Sequence, residues 1–191
     1  MTKFTQIIAI IDKSGSMEAI SEDTIDGFNQ FLDRQIALEG EASITAVLFN
    51  DKVDVLTRDA ALDNARLTPA NYLACGSTAL YDAIGQTLIH ALQDQVKRPN
   101  RPDETIVVIL TDGEENASVQ YRSALIAELI DQAKTNLGWS FMYFGANIDA
   151  IAEASKVGLD ESSAFQFKAS GDGIIQAYSE IHTNIAKKRG F

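Results

Sequence analysis

The chain of 191 residues is 46% apolar and carries a formal net charge of -11, enough to bury one substantial core, so we expect a single domain over residues 1–191. The acidic excess argues against nucleic acid as a partner, because phosphate-backbone binding needs Lys and Arg to displace condensed counterions. No stretch nears the roughly 18 apolar residues that cross a bilayer, the run Ile7 to Ile11 is too short for a signal-peptide core, and the single Cys75 excludes an internal disulfide, so a soluble cytoplasmic protein is expected.

Strand-like and helix-like apolar periods alternate along the chain, the pattern of an α/β protein: a doubly wound, mostly parallel central sheet with helices on both faces. Ile7 to Ile11 reads as a central strand ending in Asp12. Ile25, Phe28, Leu32 and Ile36 then recur at helical spacing, and Gly40 is the expected terminator. Ile44 to Phe49 and Val53 to Leu56 flank the turn-forming pair Asn50-Asp51, which predicts a hairpin and one antiparallel edge strand. Residues 59–77 hold no sustained period and include Pro69, so they read as a connecting loop.

Leu80, Ile84, Leu88 and Leu92 mark the next helix, closed by Pro99 and Pro102 before a strand from Thr105 to Thr111. A helix burying Leu125, Leu129 and Ala133 follows, then a strand from Trp139 to Phe144, a short helix from Ile148 to Ala154 and a last strand from Ala164 to Phe167. Ile174, Tyr178, Ile181 and Ile185 line one face of a terminal helix. Its closing Lys187, Lys188 and Arg189 suit the negative end of the helix dipole.

Two carboxylates stand at the carboxyl ends of expected buried strands, Asp12 after the first and Asp112 after the strand ending at Thr111. Open α/β sheets bind ligands at that edge. In Asp12-Lys13-Ser14-Gly15-Ser16, alternate residues offer oxygens and Gly15 permits a tight turn. Thr78 on a second loop and Asp112 on a third complete an oxygen set for one hard divalent cation. Two anionic and three neutral ligands suit Mg²⁺, with Mn²⁺ and Ca²⁺ as alternatives, and soft metals are poorly matched. Two carboxylates roughly neutralise the ion, and Mg²⁺ commonly keeps waters or exchangeable positions, so an external oxygen ligand can join it. Ser16, near the first helix, also has the simpler role of a helix cap.

These loops resemble those of the von Willebrand factor type A (vWA) domains, over nearly the whole chain. The family's metal-ion-dependent adhesion site (MIDAS) joins an Asp-x-Ser-x-Ser loop, a threonine from a second loop and an aspartate from a third. The matching positions are Asp12, Ser14, Ser16, Thr78 in Cys75-Gly76-Ser77-Thr78-Ala79-Leu80, and Asp112 in Leu110-Thr111-Asp112-Gly113. The resemblance implies a bacterial or phage-type intracellular member, with no catalytic residues, that binds a protein partner whose Asp or Glu completes the metal shell. Many bacterial members work beside AAA+ ATPases, so a complex of that kind is the implied setting.

Two alternatives belong to other classes. One is a Mg²⁺-dependent phosphoryl-transfer enzyme, against which Ser14 stands where aspartyl phosphatases place a second carboxylate, and no phosphate-binding G-x-x-x-x-G-K-[ST] loop occurs. The other is a structural subunit whose ion only ties loops together. Of the remaining residues, Asp82, Glu114 and Glu115 are read as offsetting helix dipoles or supporting the ligands from behind. Cys75 is read as a small buried residue, His90 as solvated, and His182 as packing beside the terminal helix's apolar stripe. Asn116-Ala117-Ser118 matches the glycosylation triplet by chance.

Overall fold

The computed structural model describes residues 3–146 and 149–191. β1 (Thr5–Asp12), β2 (Ala42–Phe49), β4 (Glu104–Thr111), β5 (Ser140–Ala146) and β6 (Ala164–Phe167) run parallel, while β3 (Val53–Ala60) pairs antiparallel with β2 at one edge. The strand order is β3-β2-β1-β4-β5-β6. This is the doubly wound sheet with one antiparallel edge strand expected from the sequence.

Burial on both faces explains the continuous apolar runs of β1 and β4. Successive side chains of a strand face opposite ways, so Ile7, Ala9 and Ile11 join one core while Ile8 and Ile10 join the other. The first core is covered by α1 (Ser21–Ile36) and α5 (Gly171–Arg189), through Phe28, Phe31, Leu32, Ile174, Tyr178, Ile181 and Ile185. The second lies under α2 (Leu80–Lys97), α3 (Ser123–Leu137) and α4 (Ala150–Lys156). A short 3-10 helix, Gly15–Ile20, leads from β1 into α1.

Several details depart from the sequence reading. Ile36 is 44% exposed, whereas Phe31, outside the predicted stripe, is buried in the core. On α3 the buried stripe is Ile126, Ile130 and Ala133, with Leu125 42% exposed and Leu129 only partly buried. Leu125-Ile126 and Leu129-Ile130 are adjacent apolar pairs at the same period, so spacing alone does not fix which member faces the sheet. Gly40 does not end α1, which stops at Ile36 with Ala37 as its cap, and instead supplies a left-handed turn (φ 93°) before β2.

The connection over residues 59–77 is more ordered than a loop. β3 continues to Ala60, a 3-10 turn covers Leu62–Ala65, and Leu62, Ala65, Leu67 and Tyr72 are buried in the first core. Ile148, the expected start of the short fourth helix, lies outside the described residues; the helix begins at Ala150, with the Asp149 carboxylate accepting the Ala152 amide at 3.0 Å.

Candidate functional site

Strand order reverses direction between β1 and β4, and the crevice at their carboxyl ends is the usual ligand position of such sheets. Asp12 is the last residue of β1, and Asp112 directly follows β4. The in-phase parallel register, with Ile11 beside Leu110, therefore sets the two carboxylates on neighbouring strand ends.

Hydrogen bonds connect the cluster. Ser14 donates its amide to Asp12 Oδ1 at 2.7 Å, its Oγ lies 3.1 Å from Ser16 Oγ, and Ser16 Oγ donates to Asp112 Oδ1 at 2.5 Å. Thr78 Oγ1 joins this group beside Gly113. A Cβ at Gly113 would stand 3.4 Å from Thr78 Oγ1 and 3.6 Å from Ser16 Oγ, so glycine leaves free the space on which both hydroxyls converge. All five sequence-predicted residues thus reach one place. Ser16 is no helix cap, since its hydroxyl is spent on Asp112, and Ser14 at the head of the 3-10 turn makes no side-chain cap either.

Asp12, Ser14, Thr78 and Asp112 are buried, whereas Gly15, Ser16, Gly76 and Ser77 are exposed. The cluster therefore has a solvent-exposed rim. Burial raises the Asp12 carboxyl to about 6, against the lowering effect of hydrogen bonds from Thr111 and Ser14. Asp112 is raised as well, again by burial, with the Ser16 hydroxyl opposing. Two desolvated carboxylates favour either protons or a cation. Lys13, the nearest cation in sequence, is engaged with Asp54 at 2.7 Å.

The loops are held by residues whose part was not legible in the sequence. The Tyr72 hydroxyl, buried 60 residues downstream, donates to the Asp12 carbonyl at 2.6 Å, and Thr111 Oγ1 donates to Asp12 Oδ2 at 2.5 Å. Burial keeps Tyr72 protonated well above its ordinary range, as a donor must be. Asn50, expected only to turn the hairpin, donates to the Cys75 carbonyl at 2.9 Å, while its own carbonyl accepts the Ala79 amide at 2.8 Å. Gly15 donates to the Gly76 carbonyl at 3.0 Å, and Gly76 must be glycine because its φ is 79° and a Cβ would strike the Asp51 carboxylate.

Acidic residues organise the third loop. Asp82 accepts the amides of Val119, Gln120 and Tyr121, and Glu115 accepts those of Tyr81, Ala117 and Ser118. Both bind the loop after β4 to the start of α2, a more specific task than offsetting a helix dipole. Asn116 Oδ1 accepts the Thr78 amide at 2.9 Å, which gives the glycosylation-like triplet a structural role. Cys75 is exposed, contrary to the expected burial, because the Cys75–Ser77 segment forms the open rim. His90 is exposed, as expected; His182 is half-buried with Nδ1 2.9 Å from Gln35 Nε2.

The donor chemistry fits a hard cation: two carboxylates and three hydroxyls converge where a glycine leaves room. Among the described residues no group of three or more His, Cys, Asp or Glu could hold a metal ion. No helix among the described residues is long and apolar enough to cross a membrane.

The family model described as "VWA domain containing CoxE-like protein" matches residues 2–139, more than half of the chain. No curated protein matches the sequence significantly. Among solved structures, the vWF domain of the type V pili tip protein Mfa5 from Porphyromonas gingivalis is similar at TM-score 0.72 and 12% identity, covering 100% of this chain and 98% of that one. The SpRpn10 VWA domain aligns at TM-score 0.65 and 15% identity, over 94% of this chain and 95% of its own. Proximal thread matrix protein 1 from the mussel byssus, in a structure with a zinc-occupied MIDAS motif, aligns at TM-score 0.68 and 17% identity. That alignment covers 96% of this chain and 46% of the mussel chain, so this chain spans less than half of it. At these identities the likeness shows the fold.

Proposed function

The chain belongs to the family of VWA domain containing CoxE-like proteins, and from that premise we propose that it is a non-enzymatic protein-binding module with a complete MIDAS. Asp12, Ser14, Ser16, Thr78 and Asp112 would hold one divalent cation, Mg²⁺ first, with Mn²⁺ and Ca²⁺ as alternatives. Bound there, the ion supplies a Lewis-acidic position for an Asp or Glu of a partner protein. An intracellular regulatory complex, of the kind built around AAA+ ATPases, is the proposed setting.

The observation that carries this reading is the solvent-facing gap in an otherwise buried oxygen cluster. Asp12 and Asp112 are desolvated and joined through Ser16, while Gly15, Ser16, Gly76 and Ser77 leave one side exposed. A purely structural ion would be enclosed by its loops, so the exposed rim favours an external ligand. The zinc-occupied MIDAS motif of the mussel protein adds support, since a chain of similar fold holds a divalent ion in that motif. Against phosphoryl transfer, the loop after β1 offers Asp12 no acid or base partner of its own, since position 14 is Ser and Lys13 is paired with Asp54.

The test has two arms. Calorimetric titration with Mg²⁺ and Mn²⁺ should give one site in the wild type and none in Asp12→Ala or Asp112→Ala. Capture from native lysate on immobilised protein should then retain a partner in Mg²⁺ but not in EDTA, and not on Thr78→Ala. Metal binding unchanged by either Asp substitution sinks the site assignment; capture indifferent to EDTA sinks the bridging mechanism.

A further inference from the structure

A cavity lined by none of the candidate metal ligands lies between the edge strand β3, the adjoining strand β2 and helix α2. It has a volume of about 40 Å³. Gln6, near the start of β1, contributes to its floor and precedes Asp12 by six strand positions, about 20 Å at about 3.3 Å per residue. Gln6 has the same parity as Ile8 and Ile10, so it faces the α2 side of the sheet.

The lining is unlike the rest of that core. Beside the apolar and aromatic residues of that core, three polar side chains are buried here: Gln6, Thr45 and Thr87, exposed by 6%, 7% and 5%. The Thr45 hydroxyl is occupied, accepting the Asp59 amide at 3.0 Å. Thr87 Oγ1, in mid-helix α2, is fully buried without a hydrogen-bond partner among the described residues. A buried hydroxyl left unpaired reduces stability, and valine of the same shape would avoid that cost. A polar residue there is explained if something entering the cavity completes its bonding.

The shape and chemistry restrict what enters. At about 10–15 Å³ of such space per water-sized occupant, the cavity takes about three waters or a head group of three to four heavy atoms. Val47, Val53 and Ala91 form apolar walls, and Val55, 46% exposed, stands at the mouth. Arg58, His90 and Asp94 also line the cavity, but all three are more exposed than the floor of Gln6, Thr45 and Thr87, which carries no charge, so an ionised head seated on that floor would be stripped of water among neutral groups. The Gln6 carboxamide offers both donor and acceptor and pairs two-point with another carboxamide, and Thr87 supplies a third bond.

We propose that this cavity is a binding site for a small neutral carboxamide, its head bonded to Gln6 and Thr87 and its short hydrocarbon lying against Val47, Val53 and Ala91. The site is independent of the metal reading, so it is tested in EDTA. Propionamide and propionate are titrated at neutral pH into isotopically labelled protein, following the Gln6 side-chain amide and the Ala91 backbone amide by NMR.

Propionamide should shift both signals saturably, with propionate at least tenfold weaker. Thr87→Val, which keeps the side-chain shape, should weaken propionamide at least tenfold. Val55→Trp, a surface change at the mouth, should abolish the shifts while leaving the rest of the spectrum folded. The proposal is overturned if propionamide gives no saturable shift up to its solubility, if the two probes bind alike, or if Thr87→Val binds as the wild type does. The last result would leave the space to water.

Discussion

Replacing Asp12 by Asn should make the metal-free protein more stable while removing its response to Mg²⁺. The folded Asp12 carboxyl titrates at about 6 against 3.8 for an unperturbed aspartate. At about 1.4 kcal/mol per pH unit, holding it ionised in its buried position costs the fold about 3 kcal/mol at pH 7. Asn fits the same place. Its Oδ1 keeps the Ser14 amide bond, and its Nδ2 donates to Thr111 Oγ1, whose own proton turns to the Gly113 carbonyl 3.2 Å away. No buried polar atom is then orphaned, and the gain should be about 1–3 kcal/mol after allowance for imperfect amide geometry.

The sign follows from the raised value. A carboxyl whose folded pKa exceeds its unfolded one burdens the fold above that folded pKa, and the burden vanishes as pH falls below the unfolded value. The stability difference between Asp12→Asn and wild type should therefore be largest at pH 7, shrink through pH 6 and disappear near pH 4. Urea denaturation of both proteins in EDTA, repeated across that range, measures it. Adding Mg²⁺ at pH 7 should stabilise wild type only, since binding to the native state adds RT ln(1 + [L]/Kd). If Asp12→Asn is the less stable protein in EDTA at pH 7, the argument that buried charge at the site awaits a cation is wrong.

Tyr72→Phe removes the buried hydrogen bond to the Asp12 carbonyl; it should cost about 1 kcal/mol and weaken Mg²⁺ binding several-fold, measured by urea melts and calorimetry. Arg189→Met removes a guanidinium that donates to Gln35 O and Oε1 and to the Glu39 and Gly40 carbonyls. The loss should be about 2–4 kcal/mol with Mg²⁺ affinity unchanged, because the contact lies at the end of the sheet away from the metal loops. Gly27→Ala sets a Cβ 2.6 Å from Tyr178 Cδ2, so overpacking of about 1–3 kcal/mol should outweigh the helix-propensity gain of about 1 kcal/mol, and thermal melts should show a lower Tm. A higher Tm would mean that the α1–α5 interface yields freely.

The sequence by itself determined the sheet and its covering helices, and it singled out the five oxygen residues proposed as ligands. Runs such as Ile7–Ile11 are apolar on both faces only if both faces are buried, and Asp12 and Asp112 at their ends then have one natural place in a parallel sheet. Local chemistry was also enough for the hairpin at Asn50-Asp51 and for α5, whose four predicted positions are all buried. What stayed hidden was whatever depends on rotation or on distant partners. A period of four did not decide between Leu125 and Ile126, because only packing against the sheet selects one side of a helix whose neighbouring positions are equally apolar. Tyr72 and Asn50 carry no motif that marks them as supports of Asp12 and Cys75, and Arg189 read as a dipole partner until the fold brought it against the end of α1. Hydrogen bonds across 25 to 154 residues leave no local pattern in the chain, so they exist only once the tertiary structure has placed both ends.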